Sequence, residues 1–99
     1  MTNTPSFYRR ADTDESGQLI PGNPCAVEPT GDYARDCAAG REMARELVGF
    51  MRLTGNVTMV QHTVRALVER GPSHQGLYVG FIHSIGEHAR RGSQELVDA

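Results

Sequence analysis

The chain has 99 residues and a mass of 10.8 kDa, enough for one small domain. Its composition, 38% hydrophobic and 22% charged with no Trp, fits a small folded domain carrying an irregular segment, and no apolar run approaches the roughly 18 residues that a membrane-spanning helix needs. A formal net charge of −2 excludes the basic excess that drives nonspecific binding to phosphate backbones.

All ten basic residues are Arg and none is Lys. That bias points to a GC-rich coding genome, bacterial or phage. It also supplies fixed, fork-shaped donors suited to carboxylate partners as well as to phosphate. The charge is uneven: residues 1–31 hold Arg9 and Arg10 against Asp12, Asp14, Glu15 and Glu28. The opening stretch has no apolar core of the kind that export signals carry, so the expected location is cytoplasmic. Cys25 and Cys37 are accordingly read as reduced thiols, because a secreted chain of this size would carry a denser cysteine framework.

Residues 1–31 contain four of the five prolines, Pro5, Pro21, Pro24 and Pro29, separated by Gly, Ser, Thr, Asn and Asp. No helical or strand period survives that punctuation, so the segment is expected to be a flexible Pro/Gly-rich arm, either disordered or extended over the core. Leu19, Ile20 and Val27 are its expected docking points.

Residues 32–99 read as a three-helix domain. The first helix spans about 32–54, with Tyr33, Cys37, Gly40, Ala44, Leu47, Val48 and Met51 on one face and Met43 and Phe50 on its flank. Thr30 or Asp32 caps its start and Gly55 is a left-handed stop. Gly40 and Ala44, one turn apart, allow a second helix to approach closely. The second helix, about 57–70, starts at a capping Asn56 and buries a stripe of Val57, Val60, Val64, Leu67 and Val68, with Met59 falling off that stripe. Gly71-Pro72 ends it.

The third helix spans about 74–91, capped by Ser73. Residues 77–82 could also be a buried strand by length alone. The continuing stripe of Leu77, Tyr78, Phe81, Ile82, Ile85 and Ala89 favours a helix, with His83, Glu87, Arg90 and Arg91 opposite. Gly80 and Gly86 each cost about 1 kcal/mol against Ala there. Gly92-Ser93 should break the helix, leaving Leu96 and Val97 in a frayed turn. The expected fold is therefore all-α: a small three-helix bundle with an extended or disordered N-terminal arm.

Several chemistries are weighed against this frame. Cys25, Cys37 and the four histidines lack the close ligand pairs of structural zinc sites, so no metal is expected. No nucleophile elbow, phosphate loop or dinucleotide fingerprint is present, so neither catalysis nor a cofactor is expected. A helix-turn-helix DNA-binding regulator built from residues 57–91 would read bases through Ser73, His74, Gln75 and Tyr78. Residues 71–89 hold no Arg or Lys to position phosphates, so nucleic acid is the second reading.

The first reading is a small non-catalytic adaptor or modulator that binds a protein partner. Met43, Phe50 and Met59 are expected as an apolar patch rimmed by Arg45 and Arg52, since Met adapts to irregular surfaces and Phe anchors them. The alternative is that these three residues widen the core. A homodimer through the same patch is a close variant. In the arm, Phe7, Tyr8, Arg9 and Arg10 form a candidate recognition segment.

Overall fold

A computed structural model describes the backbone of residues 5–98 and the side chains of residues 5–92. In chain order it contains two short strands, β1 (Asp12–Thr13) and β2 (Leu19–Ile20), then helices α1 (Tyr33–Thr54) and α2 (Thr58–Glu69). A 3-10 turn at Gly71–His74 follows and leads into helix α3 (Gln75–Asp98). The molecule measures 55 × 34 × 19 Å, so it is only about two helix diameters thick.

The ends of α1 follow from local chemistry. Asp32 has an extended backbone, and its side chain accepts a hydrogen bond from the Arg35 N–H at 3.2 Å. At the other end Gly55 takes φ 74°, a left-handed conformation that suits glycine, and its N–H donates to the Met51 carbonyl. Asn56 Oδ1 then accepts from the Thr58 N–H at 3.0 Å at the start of α2. Gly71, at φ 75°, and Pro72 close α2.

Three boundaries differ from expectation. The cap position of α2 is Val57, with no side-chain cap bond, so Asn56 stands one residue outside it. Ser73 does not cap α3; its hydroxyl turns back to the Arg70 carbonyl and to His74, and the 3-10 turn runs directly into the helix. Gly92-Ser93 does not break α3, which continues to Asp98. Glycine raises the cost of a helical turn by about 1 kcal/mol, which a run of flanking helix formers can absorb. Residues 77–82 are helical.

α1 and α3 run in the same direction and make the most extensive contact in the bundle. Asp36 lies beside Gly76, Cys37 beside Gly80, and Gly40 beside Leu77 and Phe81. A methyl group built on Gly40 would lie 2.7 Å from the Phe81 nitrogen, and one on Gly80 would lie 2.7 Å from the Cys37 carbonyl carbon. Backbone therefore meets backbone at this crossing. The small pair expected on α1 is matched by a second pair on α3, Gly76 and Gly80, also one turn apart.

The buried arc of α1 is rotated from the face expected. Gly40, Met43, Ala44, Leu47 and Phe50 are buried, whereas Tyr33 is 59% exposed. One cluster joins Met43, Phe50 and Met59 to Phe7, Cys25, Leu67, Leu77 and Phe81. Met43, Phe50 and Met59, at 3%, 7% and 6% exposure, therefore widen the core and do not form a surface patch. The physical reason is that α1 has neighbours on two sides: α3 covers one flank and the arm covers the other.

The arm docks on the helices only near its two ends, and residues 9–22 between them are exposed. Its anchors are Phe7 and Cys25, at 2% and 1% exposure, while Leu19 and Ile20 stay exposed at 71% and 43%. Ser6 donates to the Glu46 carboxylate of α1 from its N–H at 2.6 Å and from its hydroxyl at 2.7 Å. Arg70, at the end of α2, donates to the Cys25 carbonyl and to Asn23 Oδ1. Between these ties β1 and β2 pair antiparallel, Asp12 opposite Ile20 and Thr13 opposite Leu19, with a further bridge between Arg9 and Asn23. The arm re-enters the helices through Asp36, which accepts from the Thr30 N–H and hydroxyl, both at 2.9 Å.

Candidate binding site

Because the glycines draw α1 and α3 together at one crossing, what happens beyond it depends on the next facing residues. On α3 these are His83, Ser84, Glu87, His88 and Arg91, at helical spacings of one, three and four residues, and they are polar. On α1 the corresponding flank holds Ala38, Arg41, Glu42 and Arg45. No apolar core can form between such faces, and the long side chains leave a cleft of about 650 Å³. That volume falls in the range of ligand-binding clefts.

The electrostatics of the cleft are lopsided. Arg41, Arg45 and Arg91 line it together with His83 and His88, against the two carboxylates of Glu42 and Glu87. Glu42 pairs with Arg45 at 3.7 Å in an exposed geometry, and Glu87 accepts from Arg90 at 3.1 Å. The Arg90 guanidinium, with smaller help from His83 and Arg91, holds the Glu87 carboxyl below its ordinary value. Arg41 makes no ion pair among the described residues. Three guanidiniums against two carboxylates leave the cleft with a formal charge of +1, in a chain of formal net charge −2.

A second, shallower groove of about 300 Å³ lies between α2 and α3, lined by Leu67, Val68, Pro72, Gln75 and Tyr78. Among the described residues, no group of three or more His, Cys, Asp or Glu side chains is placed to hold a metal ion. Both cysteines are free thiols, and burial pushes the Cys25 thiol above its ordinary value. No described helix is long and apolar enough to cross a membrane.

The residues singled out from sequence are distributed differently from the expected site. Met43, Phe50 and Met59 are in the core. Arg45 joins the cleft, and Arg52 is exposed without lining it. In the arm, Phe7 is buried and Tyr8 half-buried, so that only Arg9 and Arg10 of the expected recognition segment are exposed. The burial of Phe7 makes it an anchor and removes it from any surface motif. Nothing in the sequence groups Arg41, His83, His88 and Arg91, which the structure brings to one cleft. His83 and Arg91 read as solvent-facing on α3, and only the glycine crossing brings them beside Arg41 of α1.

Comparison with protein families, with characterised proteins and with solved structures gives no match to this chain. Functional inference therefore rests on geometry and charge.

Proposed function

We propose that this chain is a non-catalytic protein-binding module, an adaptor or modulator, that receives an acidic segment of a partner protein in the α1–α3 cleft. The observation that carries this reading is the convergence of Arg41, Arg45, Arg91, His83 and His88 from two helices onto one cleft. Guanidinium forks bind carboxylates through paired, charge-assisted hydrogen bonds, and a cationic cleft steers an acidic partner into register. The two free thiols fit a reducing, cytoplasmic setting.

A protein segment suits the cleft better than a nucleic acid. Glu42 and Glu87 stand among the arginines, so the cleft favours a short run of carboxylates that can sit between them over a continuous phosphate backbone. The helix-turn-helix reading needs the outer face of α3 to enter a groove, yet Val79 and Ile82 lie on that face, both more than a third exposed, and residues 75–89 hold no arginine.

Fluorescence anisotropy with a labelled hexaglutamate peptide tests the reading on the full chain, alongside a labelled DNA duplex. The expected result is saturable peptide binding that weakens with salt and is lost in Arg41→Glu/Arg91→Glu, with helical content unchanged. Peptide binding indifferent to that double change would refute the cleft as the site. Tighter, salt-steep binding of the duplex would favour the DNA reading.

A further inference from the structure

The chain carries, outside its cleft, a segment complementary to it. Every residue from Arg9 to Gly22 is exposed, so the hairpin stands clear of the helices as a finger. From the Arg9–Asn23 bridge to the turn at Gly17 it reaches roughly 20 Å, longer than a helix is wide. Three carboxylates, Asp12, Asp14 and Glu15, lie at or beside the tip.

The tip is preformed. Asp14 Oδ1 accepts from the Ser16 N–H at 2.9 Å, the Ser16 hydroxyl at 2.7 Å and the Gln18 N–H at 2.8 Å. Gly17 takes φ 85°, the left-handed conformation that the turn requires. The hydrogen bonds from Ser16 and Gln18 hold the Asp14 carboxyl below its ordinary value. A pre-ordered charged tip loses little conformational freedom on docking.

Geometry sets the tip and the cleft of one copy apart. The arm is tied to α1 at Glu46 and to α2 at Arg70. Glu46 lies one turn from Glu42 of the cleft wall, yet no described arm residue lines the cleft itself. We infer that the chain self-associates by seating the acidic hairpin tip of one copy in the α1–α3 cleft of a second copy. The inference rests on reading the cleft as a receptor for acidic protein segments, and it names the segment. Reciprocal exchange of two fingers closes a two-fold dimer with two identical contacts.

The test is a charge swap on the full chain, read by sedimentation velocity at low ionic strength and again above about 0.3 M salt. One variant reverses the tip, Asp12→Arg/Glu15→Arg, and leaves Asp14 in place because it closes the turn. The other reverses the cleft, Arg41→Glu/Arg91→Glu. Circular dichroism checks that both remain helical.

The wild-type chain is expected to dimerise at low salt and dissociate at high salt, and each variant alone to associate at least about tenfold more weakly. Mixed in equal amounts, the two variants should recover dimerisation, because each reversed surface then meets its complement. A wild-type chain that stays monomeric while hexaglutamate still binds the cleft would overturn the second copy as occupant and leave the cleft reading standing. A dimer insensitive to both variants would also overturn it. Loss of both peptide binding and self-association would remove the two readings together.

Discussion

Gly80 of α3 rests directly on the backbone of Cys37 of α1: a methyl group on Gly80 would lie 2.7 Å from the carbonyl carbon of Cys37 and 2.8 Å from its Cα. Helix propensity alone favours Ala there by about 1 kcal/mol. Overpacking against backbone, which cannot rotate away, costs about 3 kcal/mol and wins. Gly80→Ala is therefore expected to destabilise the fold by about 2 kcal/mol, read as a lower urea midpoint. Gly49 and Gly86 are helical with nothing within 4 Å of a would-be Cβ, so Gly49→Ala and Gly86→Ala should each stabilise by about 0.5–1 kcal/mol. Equal responses at Gly80 and Gly86 would show that the crossing is not as tight as described.

The same crossing marks the boundary of what sequence could tell. The presence of α1, α2 and α3 is readable because an amphipathic helix repeats its apolar positions, but the buried side of α2 is not: Met59, Thr63, Ala66 and Leu67 are buried while Val57 and Val68 are exposed. The small pair Gly40 and Ala44 announced a close approach. In sequence Gly80 carries only a helix cost, since a single sequence gives propensity and not what stands opposite. Met43 and Phe50 fall on a flank when α1 has one neighbour, and the arm supplies a second. Phe7 had no period to reveal it, as an extended segment anchors through single residues. The cleft depends on a relation between two helices that no pattern within either helix encodes.

The arm should contribute measurably to stability. Phe7 is buried in the same cluster as Met43, Phe50 and Leu67, and Arg70 holds the returning strand through the Cys25 carbonyl. Replacing a core Phe by Ala typically costs about 3–5 kcal/mol, and Phe7→Ala is expected near the lower end because the arm can partly relax. Denaturation would show a lowered midpoint. Faster hydrogen exchange at the Ala26 N–H, which donates to the Phe7 carbonyl at 2.7 Å, would locate the loss in the arm. A Phe7→Ala chain as stable as wild type would mean that the arm is not docked in solution.

Asp36 links the pH dependence of the fold to the same arm. The Thr30 N–H, with its hydroxyl and the Gly31 N–H, holds the Asp36 carboxyl below its ordinary 3.8 against the opposing effect of burial. As pH falls, the unfolded chain takes up its proton first, so the stability that Asp36 contributes is full above about pH 4 and is lost as pH drops through the lower folded-state value. Asp36→Asn should flatten this part of the urea-midpoint profile while leaving its shape near neutral pH. An identical acid limb in both proteins would assign acid sensitivity elsewhere, with Asp14 and Glu87 the next groups to examine because both are also held low.

Thr63 offers the opposite case, a polar group whose removal should help. Its side chain is fully buried on α2, and its hydroxyl has no hydrogen-bond partner among the described residues. An unsatisfied buried hydroxyl keeps its desolvation cost without the bond that would offset it. Valine has nearly the same shape and the same branched Cβ, so rotamer freedom in the helix changes little. Thr63→Val is expected to stabilise the chain by about 1 kcal/mol in urea denaturation. Thr63→Ser, which keeps the hydroxyl and removes the methyl, should destabilise it by a similar amount through the small cavity left behind. Destabilisation by Val instead would mean that the hydroxyl is hydrogen-bonded in solution, for example to a buried water that a core of this thinness can admit.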